Sequence, residues 1–180
     1  MKVINYKSHY CFYKINSYKK NDSKIYNELK FCLTFIFFIL FFESNENYEI
    51  KLIIQGEGEL NILNSQFYLD PSEVIINGVS KPSCKKSCEF VSGLNKVTIR
   101  FENQLESCLN MFSGMSNIIE IDLSNLDTSK VVNMESMFFE CSNLKKINFG
   151  NINTASVTNM KQLFYFCVNL ISIDLSNFVT

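Results

Sequence analysis

Between Tyr48 and Phe101 the chain alternates apolar and polar residues in short runs. "YEIKLIIQGEGELNILN", from Tyr48 to Asn64, reads as two strands with a turn at Gly56 and Gly58. "SEVIINGVS" carries a strand that ends on Asn77-Gly78, a pair suited to the positive φ values of a tight hairpin. "NKVTIRF" places Val97, Ile99 and Phe101 on one face of a further strand. Residues 48–107 are therefore expected to form a small β-rich unit, and residues 43–47, "ESNEN", a polar linker before it. The stretch "GEG" is a turn and not a phosphate loop, because no Gly-Lys-Ser/Thr or helix start follows it.

From Met111 the pattern changes to a repeat with a period of 26 residues. Met111-Phe112, Met137-Phe138 and Leu163-Phe164 recur in step, as do Asn117-Ile118, Asn143-Leu144 and Asn169-Leu170. "IDLSNLDTSKVVNM" at Ile121 aligns without gaps on "INFGNINTASVTNM" at Ile147, and on "IDLSNFVT" at Ile173. A fixed period of this length marks a stack of similar units, each covering the apolar face of the next. Within one unit, Leu144, Ile147 and Phe149 suit the interior of a strand. Met134, Met137, Phe138 and Cys141 have the spacing of one face of a short helix. The expected repeat core comprises Met111, Phe112, Ile121, Leu123, Met134, Met137, Phe138, Cys141, Leu144, Ile147 and Phe149, and then Met160, Phe164, Cys167, Leu170, Ile173 and Leu175. Cys141 and Cys167 occupy equivalent positions, where Met115 stands one unit earlier, which suits an apolar filler better than a bridge.

The residues quoted above resemble the repeat of BspA-like leucine-rich-repeat surface proteins. The likeness is to the 26-residue-repeat surface proteins of protists and to related lipoprotein repeats of mycoplasmas. It covers about residues 111–180 and rests on the pattern "IDLSNxDTSxVxNMxxMFxxCxNL". The resemblance implies a secreted or surface-displayed, leucine-rich-repeat-like solenoid linked to adhesion, and no catalytic residues. The fold expected is α+β: a solenoid over residues 108–180, with coils from about 111, 137 and 163, preceded by the β-rich unit. The last coil lacks a closing "MxxMFxxC" segment, so self-association through an uncapped C-terminal coil is expected.

The chain has 180 residues and a net charge of −1, which conceals two opposite parts. Residues 1–42 hold seven Lys and two acids, a charge of +5, and residues 43–180 carry −6. A domain at −6 is a poor nucleic-acid partner, because phosphates need clustered Lys and Arg. After the basic leader, residues 1–30, comes the apolar run "FCLTFIFFILFF", Phe31 to Phe42. Twelve residues of helix span about 18 Å, short of the roughly 30 Å bilayer core. The run reads as the core of a secretory signal, as an uncleaved signal anchor that would be the only membrane contact, or as a buried core helix. The first two place the acidic part outside the cytosol, secreted or on the cell surface.

Candidate chemistry is sparse. The single histidine, His9, precedes the apolar run, so no Ser-His-Asp or Cys-His arrangement can be built in the domain, and no cofactor or metal is expected. Cys84-x3-Cys88 reads as a disulfide, or as one half of a pairing that involves Cys108, in preference to half of a zinc site. Cys11 and Cys32, and the glycosylation pattern at Asn21, fall within residues 1–42. Asp122 and Asp174, two units apart, are read as solvated strand positions rather than a glycosidase pair. The outward ladders Ile119/Lys145/Ile171, Glu120/Lys146/Ser172 and Asp122/Asn148/Asp174 suggest a binding face made of Glu120, Asp122, Lys145, Lys146, Asn148, Ile171 and Asp174. Its partner would be a protein or a glycan at the cell surface. A spacer or coat element that binds nothing specific, or a piece of a longer surface array, is the competing reading.

Overall fold

The computed structural model describes residues 48–179, and the basic leader, the apolar run and the linker lie outside them with Cys11, Cys32, His9 and Asn21. Among the described residues there are eight strands and no helix. They are β1 (Glu49–Gln55), β2 (Gly58–Asn61), β3 (Glu73–Ile76), β4 (Val79–Ser80), β5 (Ser87–Phe90), β6 (Leu94–Arg100), β7 (Ile118–Asp122) and β8 (Lys146–Asn148). Six form a mixed sheet in the order β4-β3-β6-β1-β7-β8, and β2 pairs with β5 in a separate sheet. The architecture is all-β with mixed sheets, which overturns the expected α+β, leucine-rich-repeat-like solenoid.

The alternating runs become strands, but their pairing is not sequential. β1 lies antiparallel between β6 and β7, with Leu52 opposite both Val97 and Ile121. Ile50, Leu52 and Ile54 are buried on one side of β1, and Val97 and Ile99 on the same side of β6. Asn77 and Gly78 take φ values of 52° and 82° and close the β3–β4 hairpin. A bulge opposite Ile53/Ile54 leaves Ile119 as the extra residue of β7. β7 and β8 are parallel, with Ile121 beside Ile147, so the repeats lie side by side in register.

The segment expected to be helical is built differently. Ser136 and Glu140 have φ values of 54° and 56°, and the pattern returns at Asn110 and Gly114 and at Gln162 and Phe166. A helix cannot contain residues in that left-handed region, because every turn of it needs negative φ. Two successive β-turns form instead: the Met137 amide donates to the Met134 carbonyl, and the Cys141 amide to the Phe138 carbonyl. Each has its third residue at positive φ. These turns bring Met134, Met137, Phe138 and Cys141 inward as a helix would, which is why their spacing suggested one.

The intervening amides bond from repeat to repeat. Those of Cys108, Asn110, Phe112 and Gly114 donate to the carbonyls of Asn133, Glu135, Met137 and Phe139. Those of Met134, Ser136, Phe138 and Glu140 donate to Asn159, Lys161, Leu163 and Tyr165. In this segment the inter-repeat N–H groups all point toward the following repeat. Side chains add rungs in the other direction: Asn143 and Asn169 donate to the Ser116 and Ser142 carbonyls, and the Cys141 and Cys167 thiols to the Phe112 and Phe138 carbonyls. The Phe138 ring is stacked between Phe112 and Phe164.

Burial follows the number of neighbours. From Met111 to Phe149 every residue of the expected repeat core is buried, Met111, Phe112, Ile121, Leu123 and Leu144 among them. Met160, Phe164, Cys167, Leu170 and Ile173 are only half-buried. Leu175, expected inside, is exposed, because the last repeat is covered on one side only among the described residues. The expected core also left out Leu126, Val131 and Ile152, which are buried.

Thr128 shows how a polar residue enters this core. It is buried, its hydroxyl donates to the Asn153 carbonyl, and the Asn153 amide donates back to it, both at 2.9 Å. Thr128→Val keeps the shape and removes both bonds. We expect a loss of about 1–3 kcal/mol in urea denaturation, with Thr128→Ser retaining most of the stability.

A candidate interaction face on the mixed sheet

Side chains alternate across a sheet, so the buried positions of β1, β6 and β7 leave their neighbours on the opposite, open face. One row across that face runs Ile75, Thr98, Lys51, Asp122 and Asn148, from the registers of β3, β6, β1, β7 and β8. The next runs Lys96, Ile53, Glu120 and Lys146, and extends to Ser172 through an isolated bridge. All of these except Ser172 line a concavity of about 490 Å³. Ile53 and Ile75 are half-buried at its floor, and three lysines alternate with two carboxylates around them.

An ion-paired third row, Glu73, Arg100 and Glu49, lies next to the first on the same face. The Arg100 Nε donates to Glu49 Oε2 at 2.9 Å and its Nη1 to Glu73 Oε2 at 2.7 Å, while Lys51 Nζ lies 3.0 Å from Glu49 Oε1. Burial works to raise the Glu49 carboxyl, but hydrogen bonds from Lys51 and Arg100 outweigh it and hold it below the ordinary value. The Arg100 guanidinium is held more firmly protonated by Glu49.

Of the residues expected on a binding face, Glu120, Asp122, Lys146 and Asn148 come together on this concavity. Lys145, Ile171 and Asp174 lie outside its lining and are exposed, Ile171 at 80%. The aspartate–asparagine ladder has a structural task as well. Oδ1 of Asp122, Asn148 and Asp174 accepts the amide two residues on, from Ser124, Gly150 and Ser176. Lys51, Ile53, Ile75, Lys96 and Thr98 belong to the face but were not singled out. Their signal was present as the outward half of the strand alternation, and what the sequence lacked was the placing of β1 beside β7.

Burial tends to raise the Asp122 carboxyl, but bonds from Ser124, the charge of Lys51 and a 3.1 Å bond from Asn148 Nδ2 hold it low. Asp127 is lowered likewise, against burial, by Ser129 and Gln104. A carboxyl with a depressed folded value stabilises above its unfolded pKa of about 4 and loses that contribution as pH falls through the folded value. We therefore expect the urea midpoint to drop only below about pH 4. Asp122→Asn keeps the turn, as Asn148 does, and should make that acid limb shallower.

The cysteines fall into two groups. Cys84 and Cys88 form a disulfide at the β2–β5 sheet, and Cys108 is a buried free thiol that takes no part in it. Burial pushes the Cys108 thiol up to about 12. Burial, then the neighbouring Cys167, pushes Cys141 up to about 12 as well. Both fill the core, and the Cys141 thiol also donates to the Phe112 carbonyl. Among the described residues no cluster of three His, Cys, Asp or Glu side chains could hold a metal, and no helix is long and apolar enough to cross a membrane.

Residues 102–180 match the model of a family described as "Mycoplasma protein of unknown function, DUF285". No curated protein and no solved structure gives a significant match.

Proposed function

We propose that the chain is a secreted or cell-surface, non-catalytic module that binds a protein partner through the open face of the mixed sheet. The observation that carries this reading is the 490 Å³ concavity, where Lys51, Lys96 and Lys146 interleave with Glu120 and Asp122 over an Ile53–Ile75 floor. Mixed charge around an apolar centre suits a protein surface of complementary pattern. Among the described residues the lining is mainly lysines, carboxylates and aliphatic side chains with no aromatic ring, which favours a protein over a sugar face. The resemblance of the repeats to BspA-like surface proteins, and the basic leader with its apolar run, support a location outside the cytosol.

The test is a printed panel of extracellular proteins and glycans probed with the full chain and with a Lys96→Glu/Lys146→Glu variant. Saturable binding to a protein, weakened at least tenfold in the variant, is the expected result. Binding to glycans alone would rule out the protein reading. Binding to nothing would favour a spacer element.

A further inference from the structure

The two rows of the open face differ in how far their charges are already satisfied. In the first, Lys51 Nζ lies 3.0 Å from Glu49 Oε1, and Asp122 Oδ1 accepts the Ser124 amide and Asn148 Nδ2. In the second, Lys96, Glu120 and Lys146 are exposed. None of their three charged groups has an ion-pair or hydrogen-bond partner among the described residues. The register sets Lys96 beside Ile53, Ile53 beside Glu120, and Glu120 beside Lys146. At about 4.8 Å per strand the two lysines stand about 14 Å apart, with an apolar side chain and a carboxylate between them. Unpaired charges held in a fixed order by four strands select a partner by its pattern, because a wrong sign at any position repels.

We propose that this row recognises an extended segment of a partner protein, lying across the strands, with the pattern acid–x–base–x–acid. The inference rests on the reading of the open face as a protein-binding surface and names what that surface selects. In an extended chain the side chains on one side recur about every 7 Å. Residues i and i+4 therefore span about 14 Å, the separation of Lys96 and Lys146, and each acid meets one lysine. The residue midway falls between Ile53 and Glu120. A lysine or arginine there lays its aliphatic stem on Ile53 and brings its cationic head to Glu120. A helix along the same row returns to one face after about 10.5 Å or about 16.5 Å, for residues seven or eleven apart, and neither distance coincides with the lysine spacing. The pattern is the same read from either end, so it holds for both polarities of the segment.

The experiment selects peptides from a displayed library of random sequences, about twelve residues long, on the immobilised full chain and separately on its Lys96→Glu variant. Lys96 is exposed, so the change touches no core contact, and circular dichroism checks that the variant keeps its fold. We expect sequences enriched at least tenfold over the bare support that share two acids four residues apart with a lysine or arginine midway. On Lys96→Glu, one of the two acids should give way to a base. Enriched sequences without the pattern, with acids seven apart, or with the same pattern on both proteins would overturn the inference and leave the protein-binding reading standing. No enrichment on the full chain would overturn it as well, and a panel of extracellular proteins that shows no binding would remove the reading beneath it.

Discussion

Phe138→Ala is expected to cost about 3–5 kcal/mol, read as a lowered urea midpoint of the purified chain. The ring is fully buried in the middle repeat. It lies 5.8 Å from Phe112 and 5.5 Å from Phe164, both nearly parallel to it, and meets Phe149 edge-on at 6.2 Å. Truncation removes the centre of a three-ring column and leaves a cavity that the neighbours cannot fill. They are held by backbone bonds on both sides, since the Phe112 amide donates to the Met137 carbonyl and the Phe138 amide to Leu163. Phe164→Ala makes the comparison, because that ring has one stacked neighbour and is half-buried. A loss equal to that of Phe138→Ala would mean that the column does not act through burial from both sides.

Gly150→Ala is expected to cost about 2–5 kcal/mol, more than a methyl group usually can. Gly150 has a φ of +54°, where an L side chain costs about 1–2 kcal/mol. A Cβ there would also lie 2.7 Å from the Cα of Ser124 in the preceding repeat. That neighbour is backbone, so the repeat itself has to shift, at about 1–3 kcal/mol more. Gly114→Ala is the control: φ is +75°, but nothing lies within 4 Å of the added carbon. It should lose only the conformational part, about 1–2 kcal/mol. Equal losses at the two sites would show that the close approach to Ser124 carries no energy.

The strands of the first half were legible because their alternation has a period of two, and Asn77-Gly78 marks its turn without ambiguity. The register of the repeats was equally legible, since Ile121 and Ile147 are paired in the sheet as they are in the alignment. What could not be read was the partner of each strand. The same alternation in β1 fits a hairpin with β2, yet β1 lies between β6 and β7. Half of the candidate face therefore went unseen, because Lys51 and Lys96 reach Glu120 and Lys146 only through that non-local pairing. The turn segment misled for another reason. Apolar residues at i, i+3 and i+4 satisfy two consecutive β-turns as well as a helix. Only the first repeat, with Asn110 and Gly114, carries residues that favour positive φ at both places. Ser136, Glu140, Gln162 and Phe166 adopt it without being residues that favour it, so the later copies conceal what the first discloses.

The rungs between repeats have an implication for inheritance. Each of them joins residues about one repeat apart, so a repeat recognises only the units directly before and after it. A duplication or loss of one whole unit in the coding sequence would rejoin amides, rings and asparagines to equivalent partners. A deletion of any other length would put the positive-φ positions against the wrong neighbours. Populations should therefore carry alleles that differ by entire units, while changes of partial length inside the stack are purged.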